Sequence, residues 1–230
     1  MRYLPLILAI ISSGVLQAQE PPPKVPTSFY CFRYAENLKD VFVPTGAAAY
    51  QKIELSTANM IGPVPVLAPE GSLTLHRRDT AEDGTEIYPL VGRAKLGSIR
   101  SPLVILLPGP KDGKLPYRTL VLDRDDAKFP LGSYQFINLS SHPMRGLIGK
   151  TRLEAKPFSV KSLRPKAAPG DMMTVIFEYN DGKHWRPMTK TRWAYRDDRR
   201  SLLCAYLDPS DQRVKMRSIP ERLVPPKPTP

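Results

Sequence analysis

The sequence predicts an all-β protein, an antiparallel β-sandwich built from many short strands with little helix. Three observations lead to this fold class. Apolar residues recur with a period of two far more often than with the helical period of about 3.6. The apolar stretches are rich in β-branched and aromatic residues. Clusters of Gly, Pro, Asn and Asp interrupt them at intervals of roughly eight to twelve residues, which is typical of a sandwich or barrel.

The first residues have the layout of a secretory signal peptide. Arg2 supplies a positive charge, Leu4 to Ile11 form an apolar run, and small residues lead to Ala18. Proline, serine and glycine interrupt this run well short of the roughly 20 apolar residues that a membrane-spanning helix needs. No later segment is apolar enough to span a membrane. We therefore predict a signal peptide at 1–18 and export of the mature chain to a periplasmic or extracellular location.

Both ends of the mature chain are rich in proline. The stretches PPPKVPT and PPKPTP contain almost no large apolar groups, and such segments favour extended polyproline conformations. We predict a linker at 19–27, one β-sandwich domain at 28–222 and a disordered tail at 223–230. The sequence shows no internal repeat. If the domain is divided, the acidic turn DRDDAKFPLG at 123–132 is the candidate seam.

The middle of the chain contains the clearest strand patterns. Ile53 and Leu55 alternate with charged residues, and Leu73 and Leu75 alternate with polar residues. The run LVILL at 103–107 is apolar on both faces, which predicts a strand covered on both sides. Four later stretches also predict strands, namely SYQFINLS, PFSVKSL, MMTVIFEY and SLLCAYL.

A predicted hairpin near the C-terminus carries alternating aromatic and basic residues. Asn180, Asp181 and Gly182 are typical of a tight turn with glycine in the left-handed conformation. This register places Phe177 opposite Trp185, so that the aromatic side chains face the core. A slip of one residue would exchange the two faces. The residues then predicted to face outward are Arg186, Lys190, Arg192 and Arg196.

The next predicted hairpin repeats this arrangement. DPSD at 208–211 forms a turn, and Val214 and Met216 alternate with Arg213, Lys215 and Arg217. We predict that the two basic rows together form a surface for polyanions. The predicted surface consists of Arg186, Lys190, Arg192, Arg196, Arg213, Lys215 and Arg217.

The charge of the mature chain is concentrated in its second half. Residues 19–130 contain 14 Lys and Arg against 13 Asp and Glu, whereas residues 131–230 contain 19 against 9. Such an excess attracts polyanions through long-range fields and counterion release. The alternative interpretation is a solvated sheet face whose charges discourage aggregation. Because the aromatics are predicted to face inward, an anionic polysaccharide or another envelope component is favoured as partner over nucleic acid.

The two cysteines are the candidate disulfide of an exported chain. Cys31 lies near the start of the predicted domain and Cys204 near its end. A bridge between them would join the first strand to one of the last, if those strands are neighbours. Two separate buried thiols are the alternative.

No catalytic, metal-ligand or cofactor motif is evident in the sequence. His76, His142 and His184 lack metal-ligand spacing, and His184 is interpreted as a solvated residue beside a turn. DRDD at 123–126 lacks the regular spacing of a calcium loop. The triplet Asn138-Leu139-Ser140 matches a glycosylation acceptor, a match that occurs often by chance.

The stretch FPLGSYQFINLSSHPMRGLIGKTRLEAKPFSVKSLRP, at 129–165, resembles small exported immunoglobulin-like sandwich proteins of bacteria. This resemblance covers about a third of the chain. It implies an exported immunoglobulin-like sandwich, and it implies no activity or site residues. From the strand pattern, the predicted sandwich is immunoglobulin-like or jelly-roll-like.

These features predict a non-catalytic exported envelope protein, a binding or structural module whose basic C-terminal sheet face binds anionic glycan. Two alternatives stay open. One is a glycan-modifying enzyme whose site is assembled from dispersed residues, and the other is a nucleic-acid binder.

Overall fold

The structure, a computed structural model, describes residues 24–46, 49–110, 112–208 and 211–222. The predicted signal peptide at 1–18 and the predicted tail at 223–230 lie outside these residues. The described residues are nearly all β, which confirms the predicted fold class. Within the same residues, no helix is long and apolar enough to cross a membrane.

The strands fall into two sets along the chain. The first set is β1 (Lys24–Cys31), β2 (Asp40–Pro44), β3 (Tyr50–Glu54), β4 (Ile61–Leu67), β5 (Ser72–His76), β6 (Asp79–Thr80), β7 (Glu86–Ile87), β8 (Leu90–Lys95), β9 (Pro102–Pro108) and β10 (Tyr117–Asp123), with a single 3-10 turn at Pro69–Gly71. The second set is β11 (Tyr134–Asn138), β12 (Met144–Ile148), β13 (Thr151–Ala155), β14 (Val160–Leu163), β15 (Met172–Asn180), β16 (Trp185–Ala194), β17 (Arg199–Asp208) and β18 (Arg213–Arg222).

Each set forms two four-stranded sheets. Sheet I has the order β10-β9-β1-β4 and sheet II the order β3-β2-β5-β8. Sheet III has the order β14-β11-β17-β18 and sheet IV the order β13-β12-β15-β16, while β6 and β7 pair as a separate hairpin. Neighbouring strands run antiparallel except β1 with β9 and β11 with β17, which run parallel. Residues 124–133 connect the first set to the second.

The two sets share one topology, although the sequence shows no repeat. Eight strands of the first set correspond in chain order to the eight strands of the second set, β11 to β18; they are β1, β2, β3, β4, β5, β8, β9 and β10. With this correspondence, the strand order of sheet I is the same as that of sheet III, and the order of sheet II is the same as that of sheet IV. The parallel pair β1 with β9 matches the parallel pair β11 with β17. The β6–β7 hairpin is an insertion in the first set. The repeat escaped sequence analysis because a shared topology requires only similar apolar alternation, not similar residues.

Each pair of sheets encloses an apolar core, as in a sandwich. The N-terminal core joins sheets I and II through residues such as Phe29, Cys31, Val41, Leu73, Leu75 and Val104. The C-terminal core joins sheets III and IV through residues such as Phe136, Ile148, Val175, Phe177, Leu203 and Ala205. Alternate residues of the predicted strands, including Ile53 and Leu55, are buried in these cores as expected.

A third cluster, the shared core, joins sheet I to sheet III. It consists of Tyr30, Phe32, Leu103, Ile105, Leu107, Leu122, Phe129, Ile137, Leu202, Cys204 and Ile219. All five residues of the LVILL run at 103–107 are buried, as the sequence predicted for a strand covered on both sides. Sheets I and III are therefore the inner layers of a four-layer arrangement, and sheets II and IV are the outer layers.

Buried charges join the two sets beside the shared core. Glu221 on β18 is 4% exposed and Arg200 on β17 is 3% exposed. Arg200 donates from Nε and Nη2 to the two carboxylate oxygens of Glu221 at 3.1 and 3.0 Å. Arg124, which follows β10, also donates to Glu221 and reaches Ser28 Oγ on β1 at 2.6 Å. One carboxylate of the second set therefore binds Arg200 of the same set and Arg124 of the connecting segment.

Part of the predicted linker at 19–27 belongs to the first strand, and the remainder lies outside the described residues. Residues 24–27 form the start of β1 and pair with β4, and Thr27 is fully buried. Pro26 fits in this strand because β1 pairs with β9 only from Ser28 onward, so the side of the strand at Pro26 is an edge. The expectation that these residues lie outside the fold is therefore wrong for 24–27.

Candidate binding surface

The β15–β16 hairpin has a different register from the predicted one. Asn180, not Phe177, pairs with Trp185, and Phe177 pairs with Thr189. The register shifts between Phe177 and Glu178, because Glu178 pairs with Pro187 and Met188 is an extra residue in the opposite strand. A bulge of this kind inverts the facing of every residue on one side of it.

The bulge places the two tryptophans on opposite faces of sheet IV. Trp193 pairs with Met173 and packs on the C-terminal core, with its ring centre 6.1 Å from that of Tyr134. Trp185 lies on the outward face, where the guanidinium of Arg145 is 4.3 Å from its ring centre. The prediction that Trp185 faces the core is therefore wrong.

Lys190 and Arg192 lie on the outward face of sheet IV, as predicted, and both are exposed. Lys190 pairs with Ile176, which pairs in turn with Leu147 and, on the far strand, Arg152. These four residues form one row across the sheet. Arg145 lies beside this row, and its register partners on the two neighbouring strands are Glu154 and Glu178.

This outward face is the candidate binding surface, and we call it the basic face. It is formed by Arg145, Arg152, Trp185, Lys190 and Arg192, with a shallow groove of about 350 Å³ between Arg145, Arg152, Leu147 and Ile176. Glu178 accepts a hydrogen bond from Arg145 Nε at 2.5 Å. Arg152, Lys190 and Arg192 have no ion-pair partner among the described residues.

Two members of the predicted surface are held by neighbouring carboxylates. Arg186 lies before the bulge and donates from Nε to Asp181 at 2.7 Å. The backbone N–H of His184, together with Arg186, holds the pKa of the Asp181 carboxyl well below its usual range. Arg196 follows β16 and donates from Nη2 to Asp198 at 2.7 Å.

The basic row on β18 does not join the basic face. Lys215 is bound by Asp208 and Asp211, each at 2.8 Å, and these bonds raise its pKa. Arg217 lies 4.7 Å from the ring centre of Phe32, which directly follows β1, and its Nη1 donates to the Phe32 carbonyl at 2.9 Å. This row is part of sheet III, an inner layer facing sheet I, so the prediction of one surface made of both rows is wrong.

Arg213 is the exposed member of the β18 row. It stands at the start of the strand, where β18 pairs with the end of β17 rather than with a strand of sheet IV.

The sequence pattern did not predict Arg145 and Arg152 as part of the surface. The residues of β12 and β13 do not indicate which strands are their neighbours, so their position in one sheet with β15 and β16 was not predictable. The alternation of Arg152 with Leu153 and Ala155 is the signal that predicts an outward position for it.

The cysteines are free thiols in different cores. Cys31 packs in the N-terminal core, on the opposite face of β1 from Tyr30, and Cys204 packs in the shared core. Sheet I therefore separates the two sulfur atoms, and the candidate disulfide between Cys31 and Cys204 is absent from the structure. Burial raises the pKa of the Cys31 thiol to about 11 and that of Cys204 to about 12.

We expect unreduced protein to gain two alkyl groups when it is treated with iodoacetamide in denaturant. The native protein should react slowly at pH 8, because the thiolate is the nucleophile and both thiols are buried with raised pKa values. Intact-mass spectrometry measures the number of groups added, with a pre-reduced sample as the control. Alkylation that occurs only after reduction would show a bridge and contradict the structure.

The triplet Asn138-Leu139-Ser140, which matches a glycosylation acceptor, has its asparagine in the interior of the fold. Asn138 is fully buried, and its Nδ2 donates to the carbonyls of His142 and Lys156 at 2.7 and 3.0 Å. Its Oδ1 accepts from the backbone N–H and the hydroxyl of Ser140 at 3.0 and 2.9 Å. The amide nitrogen of the folded chain is therefore inaccessible to a glycan-transferring enzyme.

Two of the three histidines form hydrogen bonds with backbone carbonyls, and His184 is exposed beside the turn, as predicted. His76 Nδ1 lies 2.8 Å from the carbonyl of Tyr88, and His142 Nδ1 lies 3.0 Å from the carbonyl of Asn180. Among the residues that the structure describes, no three His, Cys, Asp or Glu side chains are grouped so as to hold a metal ion.

A second cleft, of about 530 Å³, lies at the junction of the two sets of strands. It is lined by Ser28, Arg124, Asp126 and Arg200, among others. Its two cations are already engaged, because both arginines bind Glu221 and Arg200 also donates to Asp126 at 2.8 Å. The basic face, with three cations that lack such partners among the described residues, is the better candidate for an anionic ligand.

The chain matches no protein family and no curated protein sequence. Its candidate binding surface is defined by the position, exposure and charge of the side chains on sheet IV.

Proposed function

We propose that the protein is a non-catalytic exported module that binds anionic polysaccharide through the basic face. The observation that carries this proposal is the presence of Arg152, Lys190 and Arg192 on one open sheet face, with no ion-pair partner among the described residues. Export rests on the sequence of residues 1–18 and stays a prediction.

The shape of the basic face suits a polymer. An open sheet presents a flat surface several strands wide, with room for a chain to lie across it, whereas a small ligand is normally held in an enclosed pocket. Cations on strands β13 and β16 stand at opposite edges of the sheet. A polyanion lying across the strands would therefore contact Arg152 at one edge and Lys190 at the other.

The single outward tryptophan favours a polysaccharide over nucleic acid. Single-stranded nucleic acid is held by several aromatic rings on which successive bases stack. The basic face offers one such ring, Trp185, and the guanidinium of Arg145 lies over it. The sequence favours polysaccharide because its aromatics are predicted to face inward, and the position of Trp185 supports the same preference for a different reason.

Reversing both cations of β16, with Lys190→Glu and Arg192→Glu, should greatly reduce retention on immobilised heparin, the anionic polysaccharide used as probe. Wild-type protein should elute at a salt concentration well above that of the variant, with a steep dependence of affinity on salt. The slope of log affinity against log salt should fall by about one for each cation that no longer binds the polymer.

The matched control is Arg93→Glu with Lys95→Glu. These two exposed cations alternate on β8, which occupies in sheet II the place that β16 occupies in sheet IV. The control changes net charge by the same amount, so it should elute close to the wild type. Equal losses in both variants would mean that overall charge alone drives retention, and no retention of the wild type would disprove the proposal. Equal binding to single-stranded DNA, lost in the same variant, would favour the nucleic-acid alternative.

A further inference from the structure

The shared core opens to the surface at one margin as an apolar groove. Two adjoining hollows, of about 310 and 140 Å³, share Leu107, Arg118, Leu139 and Phe158 in their linings. Leu107 belongs to the shared core itself, and Leu139 packs against it. The groove is thus a continuation of the interior between sheets I and III, not a separate surface depression.

Exposed apolar side chains are concentrated around this groove. Five large apolar residues of the described chain are exposed, and three of them line the groove. These are Phe158, at 65% exposure, Leu207, at 37%, and Val160, at 36%. A contiguous apolar patch on a surface otherwise rich in charge is typical of a site that contacts a partner.

Phe158 occupies a backbone conformation that does not favour it. It follows Pro157 in the turn between β13 and β14 and has a φ of +54°. A positive φ at the second central position of a turn is usual for glycine or asparagine and costs free energy in a phenylalanine. This side chain gains little burial in return, since it is the most exposed of the large apolar residues that the structure describes. Its position therefore does not serve the stability of the fold.

The groove carries an available positive charge and hydroxyl groups beside its apolar floor. Arg118 on β10 is exposed, lines both hollows and has no ion-pair partner among the described residues. The exposed Ser141 lines the larger hollow. The other hydroxyls of the lining, on Ser140, Ser159 and Thr119, already donate to Asn138 Oδ1 and to the carbonyls of Lys156 and Arg93. A ligand that fits this lining combines apolar groups with a carboxylate and hydrogen-bonding groups.

We propose that this groove binds an extended peptide segment of a partner protein, with two apolar side chains and an acidic residue. Residues i and i+2 of an extended segment point to the same side, so that two neighbouring side chains would occupy the two hollows. The acidic residue would pair with Arg118, and the hydroxyl of the exposed Ser141 would form a hydrogen bond with the peptide backbone.

Charge disfavours a second copy of this chain as the occupant. Arg33 and Arg118 both line the larger hollow, and the full chain has a formal net charge of +12. Two copies meeting at this groove would bring these cations together. A long acyl chain is also disfavoured, because it requires an enclosed apolar cavity, whereas these hollows are open and partly lined by hydroxyl groups.

Selection of random seven-residue peptides displayed on phage, with the full-length protein as bait, tests this proposal. We expect the selected peptides to share two apolar residues spaced i and i+2 with an Asp or Glu nearby. Synthetic fluorescein-labelled copies of these peptides should bind the protein in a fluorescence polarisation assay. Phe158→Ala and Arg118→Glu should each weaken binding about tenfold or more, as expected for central contacts.

Two further variants separate binding from folding. Ile87→Ala removes an apolar side chain of 39% exposure from β7, outside the groove, and should leave peptide affinity unchanged. Phe158→Gly should abolish peptide binding while leaving the melting temperature unchanged or higher, because glycine tolerates the positive φ. A large fall in melting temperature would show that Phe158 supports the fold and would overturn the proposal.

Two other outcomes would also refute it. One is the absence of enriched peptides, and the other is peptides that bind wild type and the two groove variants equally. Retention on heparin should be unchanged in Phe158→Ala, because the basic face is not altered. Failure of peptide binding is thus distinguishable from failure of polysaccharide binding.

Discussion

Replacing Glu221 with glutamine should lower the free energy of unfolding by about 3 to 5 kcal/mol. The carboxylate of Glu221 accepts hydrogen bonds from both Arg124 and Arg200. Glutamine has a similar shape but no charge, so the buried guanidinium of Arg200 and the partly buried one of Arg124 would face each other without this counterion. Arg200 is 3% exposed and cannot recover this loss through water. Burial and the nearby Arg200 already lower the pKa of Arg124.

Urea-induced unfolding followed by circular dichroism measures this loss. The matched control is Asp198→Asn, which removes an exposed carboxylate that also meets two arginines, Arg196 and Arg199. That change should have a much smaller effect on stability, because water and salt screen exposed ion pairs. Combining Glu221→Gln with Arg124→Met should restore part of the stability by removing one unpaired charge. A loss for Glu221→Gln no greater than that of the control would refute the role assigned to this cluster.

Replacing Asn138 with aspartate should cost about 3 kcal/mol or more at neutral pH, since a buried group would lose two hydrogen-bond partners and gain a charge. The Nδ2 of Asn138 donates to the carbonyls of His142 and Lys156. In the variant, a carboxylate oxygen would face these carbonyl oxygens instead. Burial without a cation raises the pKa of a carboxyl, so the introduced group binds a proton more tightly in the folded state than in the unfolded state.

The pH dependence of the Asn138→Asp defect follows from this shift. The stability difference from wild type should be smallest below the unfolded pKa of about 4, where the carboxyl is protonated in both states. It should grow as the pH rises toward the raised folded pKa and then level off. Thermal melts at several pH values between about 3.5 and 8 measure it, and Asn59→Asp, at an exposed position, is the control. A defect that stays constant over this range would contradict a buried, uncompensated carboxylate.

Local patterns predicted the strands well. Burial of alternate residues at Ile53, Leu55, Leu73 and Leu75 is a property of strands with one covered face, so the sequence alone indicates it. The LVILL run at 103–107 has no polar face, and its burial on both sides follows for the same reason. These predictions required no knowledge of which strands are neighbours.

The face of sheet IV on which Trp185 lies depends on one extra residue, Met188, which the alternation of apolar and polar residues did not indicate. The turn residues predict Phe177 opposite Trp185, but the strand pair contains a bulge at Met188. Pro187 stands directly before it, and proline at a bulge is a known signal of interrupted pairing. A proline within a predicted strand therefore indicates a bulge, and a bulge at this position predicts an outward Trp185.

The environment of the basic row on β18 depends on contacts with residues that are distant in the sequence. Alternation correctly separated Val214 and Met216 from Arg213, Lys215 and Arg217. It did not show what covers the polar side. Phe32, which lies under Arg217, is 185 residues away along the chain. Only the packing of sheet I on sheet III places Arg217 against an aromatic ring instead of in water.

The inner position of sheet I has a consequence for the order of events during synthesis. All the strands of sheets I and II are complete by Asp123, so this pair of sheets can form before the second set of strands exists. Until β11, β17 and β18 are made, however, the side chains of Tyr30, Leu103 and Ile105 have nothing from the second set to cover them. A chain in which only the first set has folded therefore exposes a broad apolar sheet face to water, and such a face is prone to aggregate until the second set covers it.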